Sequence, residues 1–376
     1  MSHLAILAPP WIPIPPPGYG GIEHVVSLLA AGLADAGHRI TLFAPPGSDS
    51  PADVYSPLAE PHPDEIQFSM WEVDHVARSF DAIDAAAADG DPFDIVHDHT
   101  GFAALAMGAR LDVPLVHTLH GPFEPDLFRF YACHGAKAQL VAISGSQRAA
   151  APDHLRDEIV VVPNPLDVEA WPFSDAPGDY LLWMGRMNDD KGPQRAIAAA
   201  REAGMPLVVA GPVQPGQEEF FAREVEPHID DDAVRYVGEA GDKDKRELYA
   251  GARALLMPIR WAEPFGMVMV EAMACGTPVL AFPEGSAPEV VIDGETGFLV
   301  EDEEAMARAV GRLGEIDRGA CRASVGERFD VPRIVAQYER VYDRARRSHG
   351  RFSRRAAPSA PPRQSRRSEA RELGLR

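Results

Sequence analysis

Glu263 and Glu271 stand eight residues apart and bracket the segment PFGMVMV, which continues beyond Glu271 as AMAC. A helix over this run has no polar face, and such a helix is usually buried. Pro264 suits its first position, where a missing N–H costs nothing. Glu271 then lies inside an apolar helix, where an unpartnered carboxylate is costly, so it requires a polar or ligand partner. At a rise of ~1.5 Å per residue the two carboxylates span roughly 12 Å along the axis. Between them lies a helix N-terminus with free N–H groups and a partial positive charge. An anion docked there has a hydroxyl-binding carboxylate on either side. That arrangement suits a nucleotide sugar, with diphosphate at the helix end, ribose at one carboxylate and hexose at the other. The alternative is that Glu263 caps the helix and Glu271 pairs with a core Arg or Lys.

Arg186 and Lys191 follow the strand-like stretch YLLWM and lie in the turn GRMNDDKG. Two cations at a strand's C-terminal edge can clamp a diphosphate, Arg bidentate and Lys as a point charge. The competing arrangement pairs Arg186 with Asp189 or Asp190 at the surface. Earlier in the chain, His97, Asp98, His99 and His120 gather at the ends of DIVH and LVHTL. In parallel sheets that edge binds ligands. Adjacent strand residues point to opposite faces, so His97, Asp98 and His99 make a poor metal set. A sugar-binding lip or hydrogen-bonded structural histidines remain, with His120, beside a Gly-Pro turn, the best candidate for ligand contact. Gly18, Gly20 and Gly21 are spaced G-x-G-G after a long proline-rich loop. That is not the dinucleotide fingerprint; it gives either close backbone approach at a cleft mouth or a turn into the next helix. Ser144 precedes SQRAAA-like helical sequence and reads as a cap.

These residues require an α/β scaffold. The stretches HLAILA, the helical period from Ile22 to Ala36, and RITLF make a βαβ unit, hence a parallel sheet. Leu166–Gly178 is polar and aperiodic, a linker, after which the βα rhythm restarts at Tyr180. The expectation is two Rossmann-like domains facing each other across a cleft, residues 1–165 and 166–331. A final helix, Val331–Arg347, carries Ile334, Val335, Tyr338, Val341 and Tyr342 on one face. Residues 350–376 hold eight Arg against two Glu, a net of +6 that leaves −27 for the rest; this segment reads as a disordered basic tail.

The 376 residues suffice for two full cores. A formal charge of −21 argues against general affinity for nucleic acid or anionic membrane. Three scattered cysteines show no disulfide or zinc spacing, which suits a reducing cytosol. No signal-peptide pattern and no 18-residue apolar run is visible.

With these motifs in their order, the chain resembles the retaining glycosyltransferases of family 4, which have the GT-B fold. The resemblance covers roughly residues 1–345 and rests on PPPGYGGIE (Pro15–Glu23), DIVHDH (Asp94–His99), HTLHG (His117–Gly121), VPN (Val162–Asn164), GRMNDDKG (Gly185–Gly192), EPFGMVMVE (Glu263–Glu271) and GSAPEVV (Gly285–Val291). The PPPGYGG opening is similar to a subgroup that includes an avilamycin-pathway glycosyltransferase and tetrahydrobiopterin glucosyltransferase-like proteins. The resemblance implies that Arg186 and Lys191 hold the donor diphosphate and stabilise the leaving nucleotide. It implies that backbone N–H groups at Phe265, Gly266 and Met267 bind the same phosphates. Glu263 would contact the donor hexose, Glu271 the ribose, and Gly20 and Gly21 the donor from the opposite domain. His120 would bind a hydroxyl or orient the acceptor. The implied activity is transfer of a hexose from a UDP-glucose-like donor to a hydroxyl acceptor, with no metal or other cofactor, in the cytoplasm. A sugar-nucleotide epimerase of the same fold and a non-catalytic nucleotide-sugar binder are the alternatives. A phosphorylase would need a pyridoxal-binding lysine stretch, which the chain does not show. The acceptor, a sugar, lipid-linked sugar or small molecule, depends on Pro9–Gly21 and Gly121–Gly135. The basic tail offers at most a weak peripheral membrane contact.

Overall fold

A computed structural model describes residues 1–18, 20–66 and 68–355. The first half runs β1 (His3–Leu7), α1 (Gly21–Asp35), β2 (Arg39–Phe43), β3 (Asp53–Tyr55), α2 (Ser69–Ala88), β4 (Ile95–Asp98), α3 (Ala103–Met107), β5 (Leu115–Leu119), α4 (Pro125–His134), β6 (Gln139–Ala142), α5 (Gly145–Ala149), α6 (Asp153–Arg156) and β7 (Val160–Val161). The second runs β8 (Leu181–Met184), α7 (Pro193–Ala203), β9 (Leu207–Ala210), α8 (Glu218–Glu224), β10 (Val234–Tyr236), α9 (Asp242–Gly251), β11 (Ala254–Met257), α10 (Met267–Ala274), β12 (Val279–Ala281), α11 (Ala287–Val290), β13 (Gly297–Leu299), α12 (Glu303–Val310) and α13 (Arg318–Arg328). α14 (Val331–Arg355) closes the described chain.

Each half builds one parallel sheet. The first is seven-stranded in the order β3-β2-β1-β4-β5-β6-β7, and the second six-stranded in the order β10-β9-β8-β11-β12-β13. The strands are short and apolar because both faces are covered: LAIL of β1, LVVA of β9 and ALLM of β11 are buried at every residue. Strand order reverses beside β1 in the first sheet and beside β8 in the second. Such switch points open a crevice at the strands' carboxyl ends. Two Rossmann-like α/β domains with parallel sheets are therefore present.

α14 packs on the first sheet, not the second. Ile334, Val335, Tyr338, Val341, Tyr342 and Ala345 join the cluster formed by α1 and one face of β1, β2 and β4. The opposite face is covered by residues of α2, α3 and α4. Full burial of an Ile or Val side chain contributes roughly 1.5–3 kcal/mol, so this one helical stripe is a large part of the first core. The helix runs to Arg355, past the expected end at Arg347. The rest of the tail, 356–376, lies outside the described residues.

The domains touch through Ile143 of the first, which joins the core cluster of the second, and through polar contacts. Glu289 of the second accepts hydrogen bonds from Gly145 and Ser146 of the first. His24 Nε2 stands 3.9 Å from Asp242 Oδ1.

Candidate functional site

The second switch point places two loops side by side, because β8 and β11 are hydrogen-bonded neighbours. The loop after β8 carries Arg186 and Lys191; the loop after β11 carries Trp261 and Glu263. They are stitched together by Arg260 N–H to the Asp190 carbonyl at 2.9 Å and by Arg195 Nε–H to the Pro258 carbonyl at 2.7 Å. The Lys191 ammonium donates to Glu263 Oε2 and lies 4.5 Å over the Trp261 ring. Trp261 Nε1–H donates to the same oxygen at 3.2 Å. Glu263 is thus held by a cation and an indole N–H, and it does not act as a helix cap. Arg186 is half-buried and forms no ion pair among the described residues. The surface pairing with Asp189 is not realised; Asp189 pairs with Arg195 at 3.3 Å.

α10 begins at Met267, so Pro264 is not its first residue as the sequence suggested. Gly266 occupies the N-cap in the left-handed region (φ 78), a conformation open to glycine at little cost. A Cβ there would also stand 2.6 Å from Met269 Cε. Pro264 and Phe265 therefore belong to a buried loop, with the Phe265 ring edge-on to Phe329 at 5.6 Å. Among the described residues no side chain caps this helix, and Gly266 adjoins Glu263, whose Cγ would stand 3.4 Å from a Cβ at that position. The Phe265 ring belongs to the core.

Glu271 is 6% exposed. Its Oε1 accepts from Lys245 Nζ at 2.6 Å and its Oε2 from Tyr249 OH at 3.0 Å. Both partners come from α9, so the core pairing open at the sequence level is realised with a lysine. Burial, and then the adjacent Glu271 carboxylate, push the Tyr249 phenol well above its usual range. It is a fixed donor at every physiological pH.

In the first domain, Gly20 is buried with no room for a side chain, since a Cβ would lie 2.7 Å from Pro16 Cβ. Gly21 opens α1 and is exposed, with open space at its Cα. A Cβ at Gly18 would come within 3.7 Å of Glu239 Oε1 of the second domain. His24, in the first turn of α1, has its pKa lowered by burial, opposed by Asp242, and it also feels Lys245 and Glu271. The glycine loop and the start of α1 therefore lie opposite α9 and Glu271.

His120 follows β5, half-buried, with Nε2 2.9 Å from His99 Nδ1. Burial pushes its pKa down to about 3, with His117 adding to the effect and Asp98 opposing it. At neutral pH it is an uncharged hydrogen-bonding group. His97 is enclosed by Tyr342 OH and Thr118 Oγ1, both at 2.9 Å. His117 is held between Asp98 and Tyr131 OH. These two are structural, and they lie on opposite sides of the sheet, as strand alternation dictates. Among the described residues no group of three His, Cys, Asp or Glu is arranged to hold a metal. Ser144 caps α5, accepting from Gln147 N–H at 3.0 Å.

Lys245, Tyr249 and Trp261 were not singled out by motif or spacing; Glu289 lies in the motif GSAPEVV, without a role assigned to it. Lys245 and Tyr249 sit in DKDKRELYA, whose acidic-basic mixture reads as a solvated face.

Residues 19–170 match the family model Glycosyltransferase Family 4, and residues 172–322 match Glycosyl transferases group 1. The chain is 28% identical over 360 residues to the phosphatidyl-myo-inositol mannosyltransferase of Mycolicibacterium smegmatis, covering 86% of this chain and 90% of that protein. Its structure is similar to that of AviGT4, a glycosyltransferase involved in avilamycin A biosynthesis, with a TM-score of 0.72, 26% identity and coverage of 92% and 98%. It also shares its fold with Anabaena HepE in complex with UDP-glucose, at a TM-score of 0.67 and 20% identity, with 92% of this chain and 100% of that one covered. Two facing parallel-sheet domains, the first matching family 4 and the second group 1, make this chain a glycosyltransferase of the family 4 type with the GT-B fold.

Proposed function

We propose that the protein transfers a hexose, with retention of anomeric configuration, from UDP-glucose or a close relative to a hydroxyl acceptor. The observation that carries this reading is the convergence at one switch point of Lys191, bonded to Glu263, with the uncapped start of α10 and with the loop that bears Arg186, which forms no ion pair among the described residues. Arg186, Lys191 and the backbone of Phe265, Gly266 and Met267 receive the diphosphate. Glu263 takes hexose hydroxyls, and Glu271, fixed by Lys245 and Tyr249, takes the ribose. Gly20 and Gly21 approach the donor from the other domain. His120, neutral at pH 7, bonds a hydroxyl of the hexose or of the acceptor.

In the reaction the bond from the anomeric carbon to the diphosphate oxygen breaks and one to the acceptor oxygen forms on the same face. The acceptor proton passes to the departing phosphate. Arg186, Lys191 and the helix dipole stabilise the charge that develops there, so no metal is required. Glu263, already bonded to Lys191 and Trp261, acts by binding and not as a nucleophile. Apposition of the domains limits hydrolysis by excluding water. The avilamycin-type subgroup and a cytoplasmic location complete the reading; among the described residues no helix is long and apolar enough to cross a membrane.

The test is thermal shift against UDP, GDP, ADP and their hexose derivatives without added metal. UDP and UDP-glucose are expected to stabilise the protein, by ~2.7 kcal/mol at a hundredfold excess over Kd. Lys191→Ala should abolish most of the shift and cut transfer at least ~10-fold, a loss of about 1.4 kcal/mol of transition-state binding. Stabilisation by another nucleotide class would replace UDP; no response to any nucleotide would remove the donor site. Interconversion of UDP-hexoses without acceptor would favour the epimerase alternative.

A further inference from the structure

Glu263 and His120 lie in different domains, and their relative placement decides whether donor and acceptor meet. A continuous hydrogen-bonded path joins them. Ser286, fully buried, donates its N–H to the Glu263 carbonyl at 3.0 Å and its hydroxyl to the Phe265 carbonyl at 2.7 Å. Gly285 lies so close that a Cβ would stand 2.4 Å from Glu263 N, and its φ of 56 is left-handed. Three residues on, the Glu289 carboxylate crosses to the first domain. Its Oε2 accepts Gly145 N–H at 2.7 Å and its Oε1 accepts Ser146 N–H at 2.5 Å. Arg328 anchors the near side by donating to the carbonyls of Val290 and Glu289.

On the far side the path continues through α5. Gln147 is buried and spends its carboxamide on three backbone groups. Nε2 donates to the Leu119 carbonyl at 3.2 Å and to the Gly121 carbonyl at 2.9 Å, while Oε1 accepts Ile143 N–H at 2.8 Å. Leu119 and Gly121 are the two neighbours of His120. A carboxylate bonded to two backbone N–H groups is charge-assisted and directional, and an amide with three bonds has little freedom left.

We propose that Ser286, Glu289 and Gln147 form an interdomain bridge that keeps Glu263 and His120 in register, which makes Glu289 and Gln147 positioning residues for transfer. The inference rests on the donor and acceptor roles given above to Glu263 and His120. In the roles given above, UDP itself is held by Arg186, Lys191, the start of α10 and Glu271, all of the second domain, so breaking the bridge spares UDP affinity and lowers turnover. A misplacement of about 1 Å is enough to cost up to ~100-fold.

The experiment compares the full-length protein with Glu289→Ala, Gln147→Leu and the double variant. It reads radius of gyration by small-angle scattering, UDP affinity by calorimetry, and the acceptor-dependent kcat for UDP release from UDP-glucose, with acceptor-free hydrolysis subtracted. Glu289→Ala should enlarge the radius of gyration, keep UDP affinity within ~2-fold, and lower kcat ~10- to 100-fold. Gln147→Leu should lower kcat similarly without the expansion. Because both lie on one path, the double variant should be little worse than Glu289→Ala, a coupling that independent sites do not show. Unchanged scattering and kcat in Glu289→Ala would overturn the proposal, as would effects that multiply in the double variant. If the unaltered protein neither binds UDP nor releases it, the donor reading fails; scattering of Glu289→Ala then still decides whether the bridge holds the domains together.

Discussion

Glu271 shows how a single residue connects sequence to site. Its type and its apolar surroundings demanded a partner, and that demand was legible in the sequence. The partner itself was not, because Lys245 and Tyr249 lie on another helix and meet Glu271 only through tertiary packing. The same holds for Trp261, whose N–H joins Lys191 on Glu263: only Ala262 separates Trp261 from Glu263, yet nothing in that spacing shows a shared oxygen. Removing Lys245 leaves a buried carboxylate with one donor. Lys245→Met is therefore expected to destabilise by about 2–3 kcal/mol, discounted from the larger cost of a fully buried pair because Lys245 is 22% exposed. Tyr249→Phe, which removes one hydrogen bond to a charged group, should cost about 1.5–3 kcal/mol. Urea unfolding checks both. Values near zero would mean that Glu271 is satisfied by water in their place.

At the scale of elements, the alternation of apolar strands and helical periods located both sheets, since strands covered on two faces read as short apolar runs. The start of α10 was misjudged. Pro264 is a good opening residue in isolation, but the left-handed Gly266 and the bonds from Ser286 hold Glu263 to Phe265 as loop. α4 lies in Gly121–Gly135, named from the sequence only as a stretch on which the acceptor depends; the packing of its Tyr131 beside His117 makes it a wall of the core. The carboxyl ends of β4 and β5 carry an electrostatic consequence. His97, His99 and His120, with His75 on α2, all have pKa values below the ordinary 6.5 through burial, about 4 for His75 and about 3 for His120. The unfolded chain thus binds more protons below pH 6.5. The stability these groups supply is complete above that value and is lost as pH falls toward the folded values, by at most about 1.4 kcal/mol per pH unit for each histidine. Glu23 and Glu72, raised by burial, act in the opposite sense at lower pH. Melting temperature is expected to drop between pH 7 and 5.5, and His120→Asn should flatten the slope by about one proton. An unchanged slope would show that His120 titrates normally.

For the whole molecule, the two-domain plan followed from the βα rhythm that restarts at Tyr180, while the apolar stripe of the last helix does not by itself show which sheet it covers. The Arg-rich end stands apart from that plan. The buried stripe of α14 ends at Ala345, and His349 makes the last described side-chain contact, to the Asp112 carbonyl at 3.0 Å. Deleting residues 356–376 should leave melting temperature and turnover of soluble substrates within ~2-fold, an effect typical of surface change. A large fall in kcat would give the tail a part in the reaction.

The docking of α14 also orders events during synthesis. The face of the first sheet beside α1 is covered by Ile334, Val335, Tyr338, Val341 and Tyr342, which leave the ribosome only after the entire second domain has been made. Until then the first half of the chain carries an open apolar furrow. The second domain, whose core draws on residues from Ile143 to Phe329, is complete before the first one is. The segment translated earliest is thus among the last to reach its native packing, and until the C-terminus arrives that furrow is an exposed apolar surface of the kind that favours aggregation.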